Sequence, residues 1–124
     1  MIINAPISIG ELFDKITILQ IKAERITDSA KLQNITTELF HLYEALNELT
    51  IPDVDDKVAE LKAVNSDLWE IEDFKRACER EQMFDHVFVQ AARQVYLKND
   101  ERARIKRDIN IMCGSTIVEE KSYA

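Results

Sequence analysis

Ser8-Ile9-Gly10-Glu11-Leu12-Phe13-Asp14-Lys15-Ile16-Thr17-Ile18-Leu19-Gln20-Ile21 is the stretch that sets the fold class. It opens as Ser-x-x-Glu, the form of a capping box. In that motif the hydroxyl satisfies an orphan amide at a helix start and the carboxylate reaches back to the cap. Behind it Ile9, Leu12, Ile16, Leu19, Ala23 and Ile26 recur at steps of three and four, which marks one buried helical face. Ile18 and Ile21 add a second apolar stripe, so this helix is expected to touch two neighbours rather than one.

The same spacing continues outward. Asp28-Ser29 offers a second cap, followed by Leu32, Ile35, Leu39, Leu42, Leu46 and Leu49, with Phe40 and Tyr43 flanking the seam. Thr50-Ile51-Pro52-Asp53 ends that helix, because proline disfavours helix at the preceding residue and Asp53 can cap the next one. A third helix is expected from about Val54 to Glu81, with Val58, Leu61, Val64, Leu68 and Ile71 inward and Asn65 and Glu72 interrupting the pattern. After a short connection at Phe84-Asp85, a fourth carries Phe88, Ala91, Val95, Lys98, Arg102, Ile105, Ile109 and Met112 inward, and Gly114 is its natural stop. Short connections turn each helix back on the last. The expectation is an all-α, antiparallel up-down-up-down four-helix bundle. It forms one domain over residues 1–124, with two shorter helices, two longer ones and an ordered C-terminal tail.

Composition agrees. The chain has 124 residues, 46% of them hydrophobic, and only two glycines and two prolines, too few turn residues for a β-rich fold. A net charge of −7 makes it a poor partner for nucleic acid or an anionic membrane face. The run Lys98–Arg107, with Lys98, Arg102, Arg104, Lys106 and Arg107 against Asp100 and Glu101, reads first as a solvated helix face. No apolar run approaches the roughly 18 residues of a membrane span, and Met1-Ile2-Ile3-Asn4-Ala5-Pro6 lacks the basic start of a signal peptide. Cys78 and Cys113, far apart in sequence, fit two free thiols in a reducing cytoplasm.

Two features bear on function. Helices of about 20 residues span ~30 Å and those of about 28 span ~42 Å. If the second helix pairs with the start of the third, the tip of the 3–4 hairpin therefore projects. That tip holds Phe74, Cys78, Met83, Phe84, Val87, Phe88 and Val89. Apolar residues in that number on an uncovered tip mark an interaction surface, which a second copy would cover. Folding helix 3 on helix 4 also brings Asn65, Glu72, Lys98, Asn99, Arg102 and Lys106 toward one polar layer. Its functional reading is a site for a small anionic metabolite bearing phosphate or carboxylate, with Arg102 and Lys98 binding and Glu72 carrying a proton. Its structural reading is a layer that fixes helix register.

Other constellations are less specific. Glu11-x-x-Asp14 and Glu70-x-x-Asp73 place carboxylates one turn apart, as in Mg²⁺-dependent helical pyrophosphatases, but an acidic chain produces such pairs readily. No cofactor or metal is expected. His41 and His86 have no Cys or His at ligand spacing, and the chain has no Gly-rich phosphate loop and no Gly-x-Ser-x-Gly elbow. Trp69, beside the seam, reads as core packing. In Asp14-Lys15-Ile16 and Ile21-Lys22-Ala23-Glu24-Arg25 the first helix is similar to helical chorismate mutases, over that helix alone. The tail from Ser115, with Ile117-Val118 and Tyr123, is expected to dock across a groove as a structural segment, with a lid as the alternative.

Nearly end to end, the chain resembles a small family of uncharacterised bacterial all-helical proteins. The likeness is carried by Ser8–Leu12, Asp14–Leu19, Val64-Asn65, Leu68-Trp69, Ile71-Glu72-Asp73, Asn99-Asp100, Arg102-Ala103, Gly114-Ser115 and Val118–Tyr123. The resemblance implies a bacterial, cytoplasmic protein, carries no catalytic role over to these positions and leaves the activity open. A self-associating, non-enzymatic helical module is the first functional expectation. A small enzyme or sensor for an anionic metabolite is the second, with Mg²⁺ as its one conceivable ion.

Overall fold

The structure, a computed structural model, describes residues 1–122, so the part of the tail expectation that falls on Tyr123 lies outside the described residues. It is all-α, with α1 at Ile9–Arg25, α2 at Ser29–Asn47, α3 at Asp55–Arg80 and α4 at His86–Cys113. No described residue is in a strand.

Each start has a sequence cause. Ser8 Oγ accepts from the Glu11 amide at 3.0 Å and Asp28 Oδ2 from the Lys31 amide at 2.9 Å. Asp53 Oδ1 accepts from the Asp55 amide at 2.9 Å and Asp85 Oδ1 from the Val87 amide at 3.1 Å. These carboxylates and hydroxyl satisfy amides that have no partner inside their helix. Only half of the capping box forms, because the Glu11 carboxylate turns to Lys106 instead of to the cap. Gly114 stops α4 in the left-handed region at φ 64°, and the Ser115 amide then donates to the Asn110 carbonyl at 2.8 Å. The α3–α4 turn reaches the same geometry without glycine: Gln82 has φ 54° and the Met83 amide donates to the Cys78 carbonyl at 2.9 Å.

Helices α1, α3 and α4 pack on one another. Phe13, Val54, Leu61, Val64, Ile105 and Ile109 form their shared core, with Leu46 and Ile51 packed against it. Helix α2 lies along α1 and makes no comparable approach to α3 or α4. The expected pairing of the second helix with the start of the third is therefore not the arrangement seen. The reason lies in α1, which buries more apolar residues than the core shared with α3 and α4 takes up: Ile16, Leu19 and Ile21 are buried and stand outside that cluster. Of the α2 residues only Ile35 is fully buried. Met112, expected inward, is 47% exposed.

The last ion pair between α1 and α3 joins Arg25 to Glu70. Residues 71–80 of α3 and 86–97 of α4 continue beyond it, and Phe74, Met83, Phe84, Val87, Val89, Tyr96 and Leu97 lie exposed on that extension. Cys78 and Phe88, expected on the uncovered tip, are instead buried and half-buried. No helix is long and apolar enough to cross a membrane.

Candidate functional site

Most of the residues that α1 buries are apolar, so the few buried polar ones identify its most constrained face. Ser8, Asp14 and Thr17 are each at most 1% exposed. With Glu11 they recur every third residue, so each lies beside the next and the row winds about 60° round the helix at each step. Asn99, Arg102, Lys106 and Asn110 on α4 recur at steps of three and four, and the two rows meet as a polar ladder.

At its centre the Arg102 guanidinium grips Asp14: Nε donates to Oδ1 at 2.9 Å and Nη2 donates to Oδ2. Asn65 of α3 donates from Nδ2 to the same Asp14 Oδ1 at 2.9 Å and to Thr17 Oγ1 at 3.1 Å. Thr17 Oγ1 in turn donates to the Asp14 carbonyl at 3.0 Å. One turn toward the helix start, Lys106 Nζ donates to Glu11 Oε2 at 2.5 Å and stands 3.8 Å from Asp14 Oδ2. At the foot, the Gly10 amide donates to Asn110 Oδ1 at 2.6 Å, while the Ser8 hydroxyl donates to the Glu119 carboxylate. Among the described residues every buried side-chain nitrogen and oxygen has a partner. The ladder is closed on itself.

Burial alone would push the Asp14 carboxyl upward. Hydrogen bonds from Arg102 and Asn65, with the charges of Arg102 and Lys106, outweigh it and hold the group below its ordinary 3.8. Arg102, hydrogen-bonded to Asp14, is raised against the opposing cost of its own burial. Asp14 is thus a fixed anion at neutral pH, suited to holding a cation and not to shuttling a proton. Its linkage sign follows: an unfolded chain binds the proton more readily than the folded one, so this stability is present above the unfolded value and lost as pH falls through the folded one. Urea denaturation should therefore show wild-type stability falling steeply below about pH 4, and Asp14→Asn should flatten that acid limb.

Two clefts flank Arg102. One, of about 320 Å³, is lined by Asn99, Arg102, Ala103, Lys106, Glu119 and Lys121. The other, of about 210 Å³, includes Glu11, Asp14, Lys15, Lys22, Glu38 and Arg102. The Thr17 hydroxyl at the centre is committed to Asn65 and the Asp14 carbonyl, and burial raises the Cys113 thiol.

Of the six residues expected in the polar layer, Asn65, Arg102 and Lys106 meet around Asp14, and Asn99 stands at the rim, accepting from Arg102 Nη1 at 3.4 Å. Glu72 is exposed and pairs with Lys75 at 3.4 Å and Arg76 at 3.9 Å on its own helix. It lies two turns past Asn65, ~10 Å along the axis and beyond the Arg25–Glu70 pair, so it is no part of this layer. Lys98, about 100° round α4 from Asn99, pairs with Asp67 at 3.0 Å and Glu101 at 3.6 Å. The layer thus lies between α1 and the α3–α4 pair, not between α3 and α4 alone. Sequence reasoning missed Asp14, Glu11 and Thr17 as members, although a polar residue at every third position from Ser8 to Thr17, each next to an apolar residue, was a usable signal. Glu11 and Asp14 face Lys106 and Arg102, and Glu70 faces Arg25, so the pairing read as metal-like serves cationic side chains. Trp69 is half-buried with the Arg25 guanidinium 6.0 Å from its ring centroid.

No curated protein and no solved structure matches the chain. A family match spans residues 3–124 and takes in the whole ladder, from Ser8 to Glu119. The chain belongs to the DUF6165 family, a family of unknown function.

Proposed function

We propose that the protein is a non-enzymatic helical interaction module that associates with a second copy of itself through the α3–α4 hairpin. The observation that carries this reading is the exposure of Phe74, Met83, Phe84, Val87, Val89, Tyr96 and Leu97 on a hairpin that outruns α1. Large apolar side chains exposed in this number on one hairpin are costly in water unless something covers them. The polar ladder supports the same side, since its groups satisfy one another and Glu72, the proposed proton carrier, lies outside it. The order of the cross-links supports an antiparallel up-down-up-down arrangement with two shorter and two longer helices. Lys57 meets Asp108 where Lys98 meets Asp67, Glu11 meets Lys106 where Asp14 meets Arg102, and Gln20 meets Tyr43. The unpaired thiols Cys78 and Cys113 support a reducing cytoplasm as its setting.

The test is light scattering on Phe74→Glu and Val89→Glu, both at exposed positions that leave the core intact. Each is expected to weaken association at least about tenfold, since a buried carboxylate at an apolar contact costs more than 1.4 kcal/mol. Helix content should not change. Wild type and variants of equal mass would remove the proposal.

A second reading, binding of a small anionic metabolite at Arg102, is favoured by one observation: that side chain is 30% exposed and lines both clefts. A thermal-shift screen with phosphorylated sugars, nucleotides and Mg²⁺ separates the two. The module reading expects no shift beyond an ionic-strength control, and a selective rise would favour the metabolite.

A further inference from the structure

The residues after Gly114 do not trail from the bundle. Turned by the left-handed glycine, they run back along α4: Glu119 meets Asn110, Glu120 meets Arg107 and Lys121 meets Asp100, in descending order of the α4 numbers. The attachments differ in kind. Arg107 to Glu120 and Lys121 to Asp100, both at 2.9 Å, join largely exposed side chains, and exposed pairs of this sort hold weakly and are screened by salt. Glu119 is held by groups of another class. Its carboxylate accepts from the Ser8 hydroxyl and, at 3.4 Å, from Asn110 Nδ2. Both donors are 1% exposed and are oriented by further bonds, Ser8 by the Glu11 amide and Asn110 by the Gly10 amide. The carboxylate also faces the start of α1, where the helix dipole favours negative charge.

What the segment covers is specific. Glu119 and Lys121 form the outer wall of the 320 Å³ cleft whose remaining lining is Asn99, Arg102, Ala103 and Lys106. Little apolar surface holds that wall: Ile117 is 39% exposed and, of residues 115–122, only Ser115 and Val118 are even half-buried. A segment that buries little apolar surface opens at lower free energy than the core behind it.

We propose that residues 115–122 are a displaceable strap, latched by Glu119 in the notch made by Ser8 and Asn110, whose release uncovers the Arg102 face of α4. The strap is a conformational device distinct from the hairpin surface, and it operates whether or not the chain self-associates.

The test compares wild type, Glu119→Gln and Glu120→Gln as full chains. Backbone ¹⁵N relaxation reads strap order, and phenylglyoxal labelling mapped by mass spectrometry reads access to Arg102, with the 75% exposed Arg76 as internal reference. Glu119→Gln should raise the open population about tenfold, the factor that loss of one charge-assisted hydrogen bond corresponds to, and raise Arg102 labelling above the wild-type rate set by the 30% of that side chain already exposed. Arg76 labelling and helix order should stay unchanged. Glu120→Gln, which removes only an exposed clip, should shift both readouts the same way by less, and added salt should do so in wild type. The strap is overturned if its residues stay rigid in both variants. It is equally overturned if they loosen while Arg102 labels at the wild-type rate, because the segment would then cover nothing.

Discussion

Asp14→Ala is expected to destabilise the fold by about 3 kcal/mol, the low end of the ~3–5 kcal/mol for breaking a buried ion pair. The low end applies because Asp14 is 1% exposed but Arg102 is 30% exposed, so the stranded guanidinium can recover some water. Asn65, 6% exposed, also loses an acceptor and keeps only Thr17 Oγ1. In thermal denaturation this amounts to a fall in Tm of ~10 °C for a domain of this size. The double variant Asp14→Leu/Arg102→Met should recover part of that loss, since an apolar pair of similar volume commonly replaces a buried ion pair at little cost. A double-mutant cycle then gives the coupling directly. A loss under 1 kcal/mol for Asp14→Ala would mean that the ladder is not what joins α1 to α4.

The second large effect runs against helix propensity. Gly10 lies in the first turn of α1, where alanine would ordinarily help by about 1 kcal/mol. A Cβ there would stand 2.5 Å from the Lys106 carbonyl oxygen and 2.9 Å from Asn110 Oδ1. The first is backbone inside a helix and cannot swing aside, so α1 must back away from α4 and the 2.6 Å bond from the Gly10 amide to Asn110 must stretch. Overpacking of this kind costs ~1–3 kcal/mol, and with the lost bond Gly10→Ala should destabilise by about 2–3 kcal/mol in urea denaturation. Gly114→Ala is the contrast: nothing lies within 4 Å, so only its φ of 64° opposes the change, at about 1–2 kcal/mol. If Gly10→Ala proved neutral or stabilising, the close approach of α1 to α4 would be wrong.

Why some of this was legible in the sequence and some was not comes down to range. Caps and stops are local chemistry, so Ser8, Asp28, Asp85 and Gly114 mark helix ends where their side chains and dihedrals act. Apolar periodicity gives faces but not neighbours. The second stripe of α1 announced an extra partner without saying that α2 would lie on α1 alone. The polar layer was half visible for the same reason. Asn65 and Arg102 break apolar seams and stand out, whereas Asp14 sits beside a seam on a helix whose capping role already accounted for Glu11. Glu72 and Lys98 show the limit of register arguments: two turns or one residue of displacement moves a side chain from the interior to water. The latch of Glu119 on Ser8 joins positions 111 residues apart, which no local pattern encodes.

Self-association through the hairpin is the claim on which the functional account turns, and sedimentation equilibrium of the wild-type chain over a wide concentration range addresses it without any substitution. The account predicts an average mass that climbs with concentration from the 14.4 kDa of one chain toward twice that value. A single 14.4 kDa species at every concentration, with the hairpin side chains still in water, would contradict it.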